Sequence, residues 1–266
     1  MDKLLVEPIP AVLRRERMHA VINTREFMRV TDLSAMFGIS EVTVRSDLRA
    51  LAQGGRVRRI RGGALRAALS RPERPFEQTE VEAADEKAAI GAAAAALVTD
   101  QETVILDVGT TSTAVARALV RRTDLREVVV ITNGLNIALE LEPAIPRFAV
   151  VVTGGTLRPL QHSLVDPLAG EVLDHLNVNT VFLGCNGVDP EGGVTNVNLP
   201  EAAIKRRMLQ AARRRVVVAD GSKVGRLALA QLCEIQDVDL LITSQSADPA
   251  VLRAIEDLGV DVQVVG

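Results

Sequence analysis

Two sets of residues carry polar chemistry at regular spacing. In the first, Ser40, Thr43, Arg45, Ser46 and Arg49 fall largely outside the i, i+4, i+7 apolar stripe of Val44, Leu48 and Leu51. Hydroxyls and guanidinium groups presented on one helix face donate to phosphates and base edges. A short basic strand follows, Arg56–Arg61, with Arg56, Arg58, Arg59 and Arg61 bounded by Gly54-Gly55 and Gly62-Gly63. It suits a wing lying on a phosphate backbone. In the second set, small or polar residues follow five apolar runs. These are Asp107-Val108-Gly109-Thr110-Thr111-Ser112-Thr113, Thr132-Asn133-Gly134, Gly154-Gly155, Gly184-Cys185-Asn186-Gly187 and Asp220-Gly221-Ser222-Lys223. A glycine followed by four hydroxyl residues at a helix start makes a phosphate cradle from free N–H groups and hydroxyls. It also reads as an ordinary Ser/Thr helix cap. Five such ends with one lysine point to a shared polar pocket for a phosphorylated small ligand.

The elements that position the first set form a helix–turn–helix over Leu33–Leu51. Thr31 or Asp32 is expected to cap a helix carrying Leu33, Met36 and Phe37. Gly38 permits the turn, and Ser40 caps a recognition helix over Ser40–Gln53. Arg15–Ile22, with Met18, Val21 and Ile22, supplies a packing helix. An amphipathic hairpin with a solvated basic face is the plainer alternative; the wing at the right distance favours DNA.

From Thr103 onward strands alternate with helices. Strands are read over Thr103–Asp107, Val128–Thr132, Phe148–Thr153, Thr180–Gly184, Val216–Asp220, Val238–Thr243 and Asp261–Val265. Helices are read over Thr111–Val120, Leu135–Leu141, Val165–Leu176, Pro200–Ala212 and Pro249–Leu258. Such alternation of β-branched runs and helices predicts a mainly parallel sheet covered on both faces. Ligands then bind at the carboxyl ends of the strands. Residues 1–13 read as a tail, 14–65 as the winged unit, 66–79 as a linker and 80–266 as the α/β domain. Glu80–Val98 reads as one long alanine-rich helix, too short in its apolar part to span a membrane.

Residues Arg14–Leu65 resemble the winged helix–turn–helix of DeoR-type transcriptional regulators. The resemblance is carried by Arg15-Glu16-Arg17, Thr31–Leu33, Ile39-Ser40, Thr43–Leu48 and Arg61–Ala64. Roughly Asp85–Ser244 resembles the family's sensor domain through Asp107–Thr113, Thr132-Asn133, Gly154-Gly155, Phe182–Val188 and Asp220–Lys223. The chain departs from the usual pattern at Ser46, Arg61, Asp166 and Asn179. The resemblance implies a repressor of a sugar or carbohydrate operon. It also implies an effector domain with a ribose-5-phosphate-isomerase-like fold, and at least a homodimer on paired half-sites of double-stranded DNA. The expected effector contacts are Asp107, Gly109, Thr110, Thr111, Ser112, Thr113, Thr132, Asn133, Gly154, Gly155, Asn186, Glu201, Asp220 and Lys223.

Charge agrees with that division. Residues 1–75 hold 15 Lys+Arg against 8 Asp+Glu, and the remainder 16 against 26, so a basic head sits on an acidic body. The chain has neither tryptophan nor tyrosine, which argues against base stacking on aromatic platforms and for duplex readout. Cys185 and Cys233 read as unpaired thiols, and with three scattered histidines they offer no metal cluster; no cofactor is expected. Met1–Pro10 does not read as a signal peptide, and a cytoplasmic protein is expected.

A sugar-phosphate isomerase is the rival expectation, with Glu201 as base and Lys223 as electrostatic partner. Asn186-Gly187-Val188-Asp189 looks like the isomerase Asp-Gly-Ala-Asp motif with its first carboxylate replaced by an amide. That replacement favours binding without turnover. Glu201 and Lys205 read equally well as an i, i+4 surface pair. His19 and His162 read as surface residues, His175 as structural on a helix, and Arg213-Arg214-Arg215 as a solvated helix end.

Overall fold

Met18, Ile22, Leu33, Val44, Leu48 and Leu51 recur at three- and four-residue spacings, and all are buried in one cluster with Met28, Val30 and Val57. In the computed structural model, residues 10–25, 27–53, 57–60, 62–66 and 73–266 are described. They divide into two units, the second beginning at Glu73. The first contains α1 (Ala11–Arg25), β1 (Phe27–Arg29), α2 (Val30–Phe37), α3 (Glu41–Gln53), β2 (Val57–Ile60) and β3 (Gly63–Arg66). The three strands form an antiparallel sheet in the order β1-β3-β2. Gly38 adopts φ +63° between α2 and α3, and its N–H closes the helix on Ser34.

Several expectations change here. α2 starts at Val30 with Arg29 at its cap, so neither Thr31 nor Asp32 caps it. Burying Val30 draws one more residue into the helix. Met36 is 46% exposed although it lies on the apolar stripe. Residues 11–13 are helical rather than tail. Arg56 and Arg61 lie outside the described residues, as do 1–9 and 67–72.

The second unit opens with α4 (Phe76–Glu80) and α5 (Ala84–Ala96). The expected continuous helix is broken at Ala83, which sits at φ +49°. Lys87 holds the joint. It is buried and donates to Thr79 O at 2.5 Å and Glu82 O at 2.6 Å, satisfying carbonyls that the break leaves open. Burial holds its ammonium below the usual lysine range. Residues 73–79, read as linker, belong to this unit because Phe76 is buried in it.

Next come β4 (Thr103–Leu106), α6 (Thr110–Arg121), β5 (Val128–Thr132), α7 (Leu135–Leu141), β6 (Phe148–Val152), β7 (Thr156–Arg158), β8 (Ser163–Val165) and α8 (Leu168–Leu173). They are followed by β9 (Val178–Leu183), β10 (Gly187–Asp189), β11 (Gly193–Asn196), α9 (Leu199–Ala211), β12 (Ala212–Val218), β13 (Ala230–Cys233), β14 (Leu240–Ser244), α10 (Pro249–Glu256) and β15 (Asp261–Val265). Seven strands form a wholly parallel sheet in the order β15-β14-β12-β9-β4-β5-β6. Alternate side chains go to opposite cores. Val104, Leu106, Phe182, Val216 and Val218 pack with α5, α6 and α7. Ile105, Val181, Leu183 and Val217 pack with α8, α9 and α10.

Two more segments differ from the sequence reading. The expected helix over 165–176 splits into β8 and the short α8, because Asp166-Pro167 intervenes and the residue before proline avoids helical backbone. Arg213–Arg215 lie in β12, paired with β9 through Arg214–Thr180 and Arg215–Val181, not at a helix end.

In the first unit Asp47 is 1% exposed, and its two carboxylate oxygens take Nε of Arg14 at 2.6 Å and of Arg15 at 2.8 Å. Burial would raise this carboxyl; the two guanidiniums outweigh it and hold it below the ordinary 3.8. The contribution is therefore complete above that ordinary value and is lost as pH falls through the lower folded value. Arg15 remains partly solvated, so Asp47→Asn is expected to cost about 1–2 kcal/mol. Amide exchange of α1 and α3 in the full chain at pH 7 measures it. A variant protected as well as the wild type refutes the assignment.

Candidate functional site

The first candidate face lies on α3. Ser40 Oγ accepts from Thr43 N at 3.2 Å and lies 2.9 Å from Thr43 Oγ1, so both hydroxyls are engaged in capping the helix. Arg45, Ser46 and Arg49 are exposed, and Arg45 pairs with Glu41 one turn earlier at 2.6 Å. Arg59 is exposed on β2; Arg58 lies on the same strand.

The second candidate site follows from sheet order. From β4 the chain steps outward through β5 to β6, then returns to place β9 on the other side of β4. The strand order reverses between β4 and β9, and in open parallel sheets the crevice outside the strand ends at such a point takes the ligand. Asp107 follows β4 and Gly184 follows β9. Asp107 is fully buried. Its Oδ2 accepts from Lys205 Nζ and, at 3.0 Å, from Gly184 N. Lys205 Nζ also donates to Gly184 O at 2.8 Å. Among the described residues, Asp107 Oδ1 and the buried Ser112 Oγ have no hydrogen-bond partner.

Burial pushes the Asp107 carboxyl up to about 6, against the pull of Lys205. Burial also disfavours the Lys205 ammonium, but Asp107 and Glu201 outweigh it and hold it above the usual lysine range. At neutral pH the pair is ionised. α6 begins directly beside it, with Gly109 at φ +130° and no side chain capping the helix. Its first turn thus keeps N–H groups that no side chain caps, at the positive end of the helix dipole. Thr113 Oγ1 turns back to Gly109 O at 3.0 Å and accepts from Asn136 Nδ2 at 3.0 Å.

Glu201 and Lys205 are not a surface pair: both are buried on α9. Glu201 Oε1 accepts from Ser163 Oγ at 2.5 Å and from Arg158, whose other terminal nitrogen reaches Glu73 at 2.6 Å. Asp220 is buried, and Lys223 is 3.8 Å from it on the turn after β12. Both act electrostatically on Cys185, whose thiol burial pushes up to about 12.

Other expected contacts serve the framework. Thr132 Oγ1 accepts from Gly134 N, and Asn133 binds Leu164 O, fastening β5 to β8. Asn133 Oδ1 has no partner among the described residues. A side chain on Gly155 would strike Val165 O, whereas one on Gly154 would meet open space, and both glycines adopt positive φ. Asn186 is exposed, and its Oδ1 takes Val197 N at 2.9 Å. Asn179 Oδ1 receives Thr103 N at 2.9 Å. His162 lies 3.0 Å from Glu77, and His175 sits in the turn after α8.

Arg158 and Ser163 were not singled out by the sequence. Lys205 could have been, since it falls on the stripe of Ala202, Ile204, Met208 and Leu209, where a charge must have a partner. Among the described residues no group of His, Cys, Asp or Glu is placed to hold a metal, and no helix is long and apolar enough to cross a membrane.

Comparison with known proteins matches residues 14–68 to the DeoR-like helix-turn-helix domain and residues 82–245 to the DeoR C terminal sensor domain. The chain is 34% identical to the uncharacterized HTH-type transcriptional regulator YulB of Bacillus subtilis, over 95% of this chain and 96% of that one. It is 34% identical to the putative aga operon transcriptional repressor of Escherichia coli O157:H7, over 95% and 93%. It is 27% identical to the glycerol-3-phosphate regulon repressor of Escherichia coli K12, over 89% and 92%. Solved structures give distant likenesses. Ribose 5-phosphate isomerase from Plasmodium falciparum has 15% identity and TM-score 0.38 over 52% of each chain. The probable sor operon regulator from Shigella flexneri has 12% identity and TM-score 0.43 over 68% of this chain and 90% of that one. The sequence matches, not these likenesses, decide the assignment: the chain belongs to the DeoR family of transcriptional regulators, with its helix-turn-helix domain first and its sensor domain second.

Proposed function

We propose that this regulator is a cytoplasmic, non-enzymatic repressor of a carbohydrate operon. Its sensor domain binds a phosphorylated sugar or related metabolite that changes operator affinity. It works as a homodimer or larger homo-oligomer on paired half-sites. One observation carries the ligand reading. At the strand crossover a buried ion pair leaves Asp107 Oδ1 and Ser112 Oγ without a partner among the described residues, beside an uncapped helix start. Buried polar atoms ordinarily have partners, and a hydroxylated anion supplies them here. The names of two relatives, for the aga operon and the glycerol-3-phosphate regulon, agree with that class. α3 enters the major groove through Arg45, Ser46 and Arg49, and the hairpin of β2 and β3 follows phosphate.

The isomerase reading draws on Asp107 titrating near neutrality. Against it, Glu201, the expected base, is already engaged by Arg158 and Ser163.

Arg158 offers a route from crevice to linker. It joins Glu201, one turn from Lys205, to Glu73 at the start of this unit. The same hairpin grips the segment further on. Leu160 O accepts from Phe76 N at 2.9 Å, and Gln161 Nε2 donates to Arg74 O at 2.6 Å. A ligand that shifts α9 then loosens or tightens the segment from which the DNA-binding unit hangs.

Fluorescence anisotropy of labelled DNA from the gene's own upstream region, with and without a panel of pentose, hexose and triose phosphates, tests the function. We expect salt-sensitive binding that one phosphate shifts by roughly 5–150-fold, a coupling of about 1–3 kcal/mol. No shift with any member, or isomer formation in the same tubes, overturns the sensor reading. Arg45→Ala is expected to weaken operator binding by about 1–3 kcal/mol with the sensor domain still folded.

Lys205→Met combined with Asp107→Asn, which removes both charges at once, is expected to abolish the response while ligand-free operator affinity stays within about twofold. In the wild type the response should fade as pH drops through about 6, where Asp107 takes up a proton. The stability sign is opposite. A carboxyl raised in the fold costs stability above that pH, and the cost is relieved on acidification towards its ordinary value. A response unchanged at pH 5 rejects the role of the pair. Arg158→Gln should raise amide exchange across 73–80 without disturbing β4 or β9, and should blunt the response. Unaltered exchange there removes Arg158 from the route.

A further inference from the structure

The recognition helix carries an apolar side chain where its packing has no use for one. Val44, Leu48 and Leu51 are buried against the rest of the unit, while Val42 is 73% exposed. It lies in the first turn of α3, one and two turns before Ser46 and Arg49 on the same face, with Arg45 alongside. A solvated helix position with no packing duty is better filled by alanine, glutamate or lysine than by a β-branched residue. Its neighbour Glu41 pairs with Arg45 one turn later at 2.6 Å. The stiff side chain of Val42 has little rotamer freedom to lose when it meets a surface.

We propose that Val42 is a specificity residue that packs its methyl groups on the 5-methyl of one thymine in each half-site. The inference rests on the operator-reading face proposed above. A helix entering the major groove presents its first turn to base edges. On those edges hydrogen-bond donors and acceptors dominate, and the thymine methyl is the apolar group among the four bases. Arg45 and Arg49 fix the helix through phosphate or guanine, and Ser46 serves either kind of partner. Val42 can contribute only where a methyl group faces it. Position 42 thus separates thymine from cytosine through the methyl group, independently of the hydrogen bonds that the charged residues of the face make.

The test uses the full-length protein, wild type and Val42→Ala, and a pool of DNA duplexes with a random core. Alanine is the better helix former at an exposed position, so the variant keeps its fold, which circular dichroism checks. Wild type is expected to select thymine at one position of each half-site, and the variant to lose that preference while keeping the rest of the sequence. Uracil at that position keeps every hydrogen-bonding group and removes the methyl. It should weaken wild type about fourfold, the worth of one buried methyl, and leave the variant nearly unchanged. Identical selected sequences, or equal uracil effects in both proteins, overturn the inference while the operator reading stands. Selection of no sequence by the wild type overturns both.

Discussion

The buried pair of Asp107 and Lys205 is the interaction on which the sensor domain depends. Neither charge is tolerable alone in that interior, because removing one partner strands the other in a low dielectric. The two residues come from distant parts of the chain, the end of β4 and the middle of α9. They meet only if β9 lies beside β4 and α9 packs across it. Gly184 closes the arrangement by giving its N–H to the carboxylate and its carbonyl to the ammonium. The reversal of strand order, the covering helix and the charge pair thus depend on one another.

The first unit solves a related problem at smaller scale. Asp47 sits on the buried side of α3, where an apolar residue would serve packing equally well. Its carboxylate instead draws α1 in through Arg14 and Arg15. A directional contact of this kind fixes how the helix is rotated in its seat, which a greasy contact does not. In both units one buried carboxylate fixes how a helix is seated.

Much of the framework was legible because long β-branched runs at β4, β5, β6 and β12 have few alternatives, and because the apolar spacing in α3 is strict. What was missed follows from local chemistry being outvoted. The strands β7, β8, β10, β11 and β13 are three or four residues long and rich in glycine or polar residues, so no run reveals them. The break at Ala83 has no glycine or proline to announce it. Pro72, Pro75 and the surrounding charges look like a tether, yet Glu73 and Phe76 find partners more than eighty residues away. Lys205 was visible as a charge on an apolar stripe. The neighbouring Glu201 made a surface pair look sufficient, since spacing alone cannot tell a solvated pair from two buried residues with separate partners.

Cys185 stands in the wall of the same crevice, and burial keeps it protonated far above neutral pH. Peroxide and disulfide exchange act through the thiolate, so this sulfur is a poor nucleophile where it sits. A lysine beside a cysteine would elsewhere make an oxidant trap. Here desolvation overrides the lysine, and the sulfur beside the Asp107–Lys205 pair stays a thiol at neutral pH.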